Sequence, residues 1–146
     1  MILVNYVNTT DTALNVIRLY CVDRSKDSSS SRDYTSIDSN VGGWGDWGII
    51  QWCSSGYLTS FQLKVESSQG SGDDTAANNI KFKCSGGDVL EGSRPIWSQW
   101  GDWGDWSDWS PTCEGKGICG IKTLVEGWQR SGDDTALNDG HMFCCD

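Results

Sequence analysis

Four carboxylates and a run of tryptophans are the residues of this chain whose types and spacing suggest chemistry. Glu66 and Asp74, with Glu126 and Asp134, stand at equivalent positions of a repeat whose second half reads GDDTAANNIKFKC over 72–84 and GDDTALNDGHMFC over 132–144. Cleaving or transferring a glycoside takes two carboxylates flanking the bond, roughly 5 to 10 Å apart. These four are the minority candidates for such a pair. Their equivalent placement in a repeat is what scaffold residues show, so no catalytic residue is expected. His141 is the one histidine, and a cysteine nucleophile does not suit a disulfide framework. Asp73, Asp74 and Asn78, with Asp133, Asp134 and Asn138, offer oxygens for calcium or a sugar, but calcium needs six or more converging on one point. The same side chains satisfy a turn backbone locally. A structural corner is the expectation, with no metal and no cofactor.

Trp97, Trp100, Trp103, Trp106 and Trp109 are spaced three apart. Period three cannot keep side chains on one face of a flat strand, whose period is two. So many large rings rarely bury fully, and exposed indoles are expected here, as a platform for sugar rings or as an interface between molecules. Trp44 and Trp47 are expected to fill the interior.

The elements that would hold these residues come in three copies. TTDTALNVIRLYC, 9–21, is a clipped version of the two patterns above, and the cysteine ending each copy follows the last at a spacing near 60. A period of that size marks one supersecondary unit used repeatedly. Within the units, Ile17, Leu19 and Cys21 alternate with Arg18 and Tyr20. Phe61, Leu63 and Val65 alternate with Gln62, Lys64 and Glu66, and Ile80, Phe82 and Cys84 with Lys81 and Lys83. Such alternation predicts half-buried strands. The units run approximately 1–21, 42–84 and 93–145 of one domain spanning 1–146, and Ser-rich 22–41 is expected to be a surface loop.

Eighteen Gly, two Pro and nine Trp in 146 residues, without helical periodicity, predict an all-β protein. The net charge of −9 argues against nucleic acid, whose affinity draws on Lys and Arg. No apolar run is long enough to span a membrane. Seven cysteines imply an oxidising compartment. Cys53 to Cys84 and Cys113 to Cys144 have equal spacing, Cys119 and Cys145 offer a third bridge, and Cys21 is left over as a possible intermolecular thiol. Asn8 begins an N-glycosylation sequon. Secretion is expected, and MILVNYVN has no signal-peptide pattern, so a secreted form would already have lost its signal.

GYLTSFQLKVESSQGSGDDTAANNIKFKCS (56–85), GICGIKTLVEG (117–127), GDDTALN and the terminal FCC together resemble the vitelline membrane outer layer protein family. The resemblance implies a β-prism of three Greek-key sheets with pseudo-threefold symmetry. It also implies a secreted structural protein of an egg coat or other extracellular layer, associated with glycoproteins, with a transferase activity on N-acetylchitooligosaccharides attributed to the family. The first unit departs from the family by lacking its Trp-Gly-x-Trp strand and its first cysteine, so the first sheet is expected to be incomplete and to invite self-association. WSDWSPTCEGKG (106–117) also resembles thrombospondin-type repeats, where tryptophans so spaced stack with Arg, although their cysteine framework is missing here. Function is thus expected to be structural or binding in an extracellular or mucus-like layer, with extracellular glycoproteins or glycans as partners. A lectin-like module and a weak transferase are the alternatives.

Overall fold

Alternating apolar residues give this chain strands wherever the structure describes it. The computed structural model describes residues 2–6, 14–22, 34–39, 46–66, 77–92, 104–125 and 137–146, which hold ten strands and no helix. In chain order these are β1 (Ile2–Tyr6), β2 (Leu14–Val22), β3 (Tyr34–Asp38), β4 (Asp46–Trp47) and β5 (Leu58–Val65). They continue as β6 (Ala77–Cys84), β7 (Val89–Glu91), β8 (Asp105–Trp106), β9 (Gly117–Val125) and β10 (Leu137–Cys145). Three sheets result, ordered β3-β2-β1-β4, β7-β6-β5-β8 and β10-β9, with every pairing antiparallel.

Each sheet is built on one hairpin, and the three hairpins share a register. Leu58 faces Cys84 and Ile118 faces Cys144, an offset of 60 that holds along both strands to Val65 with Ala77 and Val125 with Leu137. In all three, the first strand pairs on either side of an extra residue in the second. That residue is Asn15, Asn78 or Asn138, the Asn of the repeated Thr-Ala-x-Asn sequence. A bulge of this kind adds local twist. Asn78 is buried there and donates to Glu66 Oε2 at 3.4 Å, while the buried Asn79 accepts from the Ile80 amide at 2.8 Å.

The inward residues of the three hairpins meet in one core of Leu14, Ile17, Leu58, Ile80, Phe82 and Leu137 with their neighbours. The all-β prism with threefold repetition holds. Two details of the expected plan change. Part of the stretch 22–41, expected as loop, is β3, which pairs with β2 from Arg18 to Val22. The incompleteness seen in the first unit appears elsewhere in space. The first sheet has four strands because β4, from the second unit, pairs with β1; β8, from the third, likewise completes the second sheet. Each tryptophan strand serves the preceding hairpin, and the two-strand sheet among the described residues is the third.

All three expected disulfides are present: Cys53–Cys84, Cys113–Cys144 and Cys119–Cys145. The first fastens the segment leaving β4 to the end of β6, and the second fastens the segment leaving β8 to β10, so each joins one sheet to the next. Replacing Cys53 and Cys84 together by Ser removes a cross-link of 31 residues' separation. Chain-entropy reasoning puts the cost on the order of 3 to 4 kcal/mol. Urea unfolding of the variant should show a midpoint lowered in proportion, with an unchanged far-ultraviolet dichroism spectrum before the transition.

Candidate functional site

The period of three in the tryptophan segment follows from how it lies on β5. The amides of Ser107, Ser110 and Cys113 donate to the carbonyls of Leu63, Phe61 and Thr59 at 2.8, 2.9 and 2.7 Å. Every third residue of the segment thus bonds every second residue of the strand. Three residues of segment advance by about 6.7 Å, the length of two strand residues. Serine hydroxyls supply the return bonds: Leu63 N donates to Ser107 Oγ at 3.2 Å and Phe61 N to Ser110 Oγ at 3.0 Å. Gly104 opens the segment at φ 99°, and a Cβ there would stand 2.6 Å from the Val65 carbonyl oxygen. That close approach accounts for the Gly of Trp-Gly-Asp-Trp.

The triplet repeat sends Trp106 and Trp109 to the outer face, half-buried, each over a cation from β6. Lys81 Nζ lies 4.0 Å from the Trp106 ring centre and Lys83 Nζ 4.3 Å from that of Trp109. Lys81 also pairs with Glu91 Oε2 at 3.7 Å. The first sheet repeats the arrangement at equivalent positions. Arg18 on β2 sits 4.2 Å from the Trp47 ring centre and bonds Asp38 on β3 through Nε at 2.5 Å and Nη2 at 2.7 Å. These two bonds hold the Asp38 carboxyl below its ordinary range, against a smaller opposing effect of burial, and raise the Arg18 guanidinium further. An acid, a cation and an indole therefore stack across the outside of both sheets. Trp47, expected in the interior, is exposed on this outer face because its pairing with β1 places it over Arg18.

Comparison with known proteins follows the same lines. A model of the family described as "Vitelline membrane outer layer protein I (VOMI)" matches residues 4–146. The chain belongs to this family. It is 46% identical over 136 residues to the Homo sapiens protein named "Vitelline membrane outer layer protein 1 homolog", and 41% identical over 136 residues to the Mus musculus protein of that name. Each match takes in 92% of this chain and 62% of the relative, so the chain spans under two thirds of the relatives' length.

Within this vitelline membrane outer layer fold, the residues singled out by sequence separate clearly. Of the carboxylates, Glu66 is half-buried and bonded to Asn78, while Asp74, Glu126 and Asp134 lie outside the described residues. So do Trp44, Trp97, Trp100, Trp103 and Asn8. Cys21, expected to face inward with Ile17 and Leu19, is free and exposed. It sits near the end of β2, where Cys84 and Cys144 of the other hairpins are each disulfide-bonded. The sequence reading missed the cations under the indoles. Their signal was present in the outward Lys81 and Lys83, two apart, beside tryptophans three apart. It missed as well a cluster of Tyr20, Tyr34 and Trp52, whose ring centres are 5.0 to 6.4 Å apart. Asp88, not singled out, accepts from the Ser54 amide at 2.7 Å and from its hydroxyl, which lowers its pKa.

Asp38 gives a pH test of the outer stack. Its folded pKa is depressed, so its contribution is present above the ordinary Asp value near 3.9 and fades as pH falls through the lower folded value. The pair is partly exposed, with side chains near 30% accessible, which limits the contribution to about 0.2–1 kcal/mol. Asp38→Asn should be destabilised by that amount at pH 7, measured by urea unfolding, and the difference from the parent protein should shrink as pH falls below the ordinary Asp value. Lys81→Met should leave the fold intact while changing the fluorescence of Trp106.

Proposed function

We propose that this chain is a secreted structural protein of an extracellular coat, holding its place by association with itself and with extracellular glycoproteins or their glycans. The observation that carries the reading is the fate of its charged groups. Among the described residues, Asp38, Arg18, Glu91 and Lys81 bond one another across the outer faces, and Glu66 bonds the bulge residue Asn78. These groups stiffen sheets; they do not converge on a cavity with a free carboxylate pair. Three disulfides in 146 residues suit an oxidising extracellular setting. The names of the relatives refer to an outer layer of the vitelline membrane, and that is where the family likeness points.

A glycan-binding role has one feature in its favour. Tyr34, in the cluster with Tyr20 and Trp52, is 50% exposed. Rings presented in this way accept sugar faces by stacking. Trp106 and Trp109 suit that role less, since lysine ammonium groups already stand over their rings.

Sedimentation velocity over a concentration series of the oxidised chain tests the structural reading, with reversible growth in size expected and a strict monomer at every concentration counting against it. Transfer on N-acetylchitooligosaccharides is expected to be absent; turnover that disappears in Glu66→Gln would replace the structural reading with an enzymatic one. On a glycan array, retention that is lost in Tyr34→Ala would establish the sugar-binding alternative.

A further inference from the structure

The outer faces of the first two sheets repeat one order of groups, and a third instance of it lacks one member. Arg18 faces Asp38 across β2 and β3 and stands over Trp47; Lys81 faces Glu91 across β6 and β7 and stands over Trp106. In both, an acid, a cation and an indole follow one another across the sheet. Two residues further along β6, Lys83 Nζ stands 4.3 Å from the centre of the Trp109 ring. The residue facing Lys83 on β7 is Val89. Cation and indole are present, and an apolar side chain stands in the acid's place. At the matching level of the first sheet Tyr20 faces Ser36, so no cation there calls for an acid.

The acids on either side of Val89 are committed elsewhere. Glu91 Oε2 lies 3.7 Å from Lys81 Nζ, and Glu91 Oε1 accepts from Asn79 Nδ2 at 3.3 Å. Asp88 takes the Ser54 amide and hydroxyl on Oδ2. Among the described residues no carboxylate lies within ion-pair distance of Lys83. Lys83 is exposed, and Val89 opposite it is 53% exposed. The ammonium rests on an indole and borders an aliphatic side chain, so part of its surroundings is already apolar. An anion arriving there is attracted more strongly than by an ammonium in open water.

The two surfaces together select the kind of anion. An inorganic ion would use Lys83 alone. A sugar ring carrying an acidic group uses both, its anion meeting the ammonium while its C–H face lies on Val89. A neutral ring gains less, because the ammonium already covers the Trp109 indole. The net charge of −9 opposes an acidic ligand at long range. Charges further off than about 8 Å are largely screened at physiological ionic strength, so the nearby cation decides.

We propose that Lys83 and Val89, backed by Trp109, form a binding site for an acidic sugar of an extracellular glycan. The carboxylate or sulfate of that sugar takes the place that Asp38 and Glu91 hold in the two complete stacks. The inference rests on the reading of the chain as a partner of extracellular glycoproteins, and it names the part of the glycan that is recognised. One such contact is weak. Firm attachment comes from many acidic sugars displayed on one glycoprotein and met by several associated chains.

The test passes the oxidised full chain over surfaces coated with polymers that display sialyllactose, sulfated N-acetyllactosamine, or the neutral lactose and N-acetyllactosamine, and over polyglutamate. Retention on at least one acidic sugar should exceed that on its neutral counterpart about tenfold. The sialylated and sulfated surfaces tell carboxylate from sulfate. Lys83→Gln should lower acidic retention about tenfold, and so should Val89→Glu, which sets an acid opposite Lys83 as Glu91 stands opposite Lys81. Val89→Gln, which matches Glu in shape without its charge, should keep it, as should Lys83→Arg. All four variants should keep the parent's far-ultraviolet dichroism. Equal retention on acidic and neutral sugars overturns the proposal, as does acidic retention undiminished in either Lys83→Gln or Val89→Glu. Polyglutamate holding the chain as well as the acidic sugars do would reassign the site to acidic peptides and overturn it too. Absence of retention on every surface, in a chain that still grows in sedimentation velocity, would remove this ligand and leave the structural reading standing.

Discussion

A segment that bonds every third residue to every second residue of its neighbour is the constraint on which the rest of this molecule depends. It compresses the tryptophan segment beside β5 and fixes which side chains turn outward. The same pairing brings the cysteine at the segment's end beside the next sheet. Were the segment a regular strand, alternate residues would point outward, and Trp106 and Trp109 could not both lie over β6 lysines. The serines after each tryptophan make the mismatch tolerable, since their hydroxyls accept the amides that a regular ladder would have paired with carbonyls.

The outer stacks follow from that geometry. Indole, cation and acid come from strands on opposite sides of a hairpin, so the contacts bind across the sheet at right angles to the backbone bonds. Individually such surface contacts contribute little. Their value lies in repetition, since Arg18 with Asp38 and Trp47 reproduces Lys81 with Glu91 and Trp106 using different side chains. The repeat preserves charge sign and ring while varying the residue.

Much of this was legible in the sequence where a local rule applies. Alternation located the inward Ile17, Leu63, Ile80 and Phe82, and the spacing of like cysteines gave both 31-residue bridges. What failed involved partners distant in sequence. Trp47 was assigned to the interior because tryptophan is large and apolar; its position over Arg18 depends on pairing with β1, about forty residues earlier. The strand within Ser-rich 22–41 was hidden because β3 packs along an edge with mostly exposed residues, which leaves no apolar alternation to read. The repeated Asn looked like turn chemistry and proved to mark a bulge, which only the register of two strands can reveal. Of the four candidate carboxylates, Glu66 lies among the described residues, and its partner is the bulge Asn78.

The way β4 and β8 complete hairpins from the preceding unit has a bearing on how the chain reaches its fold. No repeat excised from it would contain its own sheet, since its hairpin would keep a bare edge and its tryptophan strand would have nothing to lie on. The cooperative element is therefore the junction between repeats. Closing each junction means gathering residues some forty positions apart before any of its bonds can form, which places the entropic toll early and the reward late. A nascent chain emerging in order must hold an unfinished sheet open until the following repeat arrives.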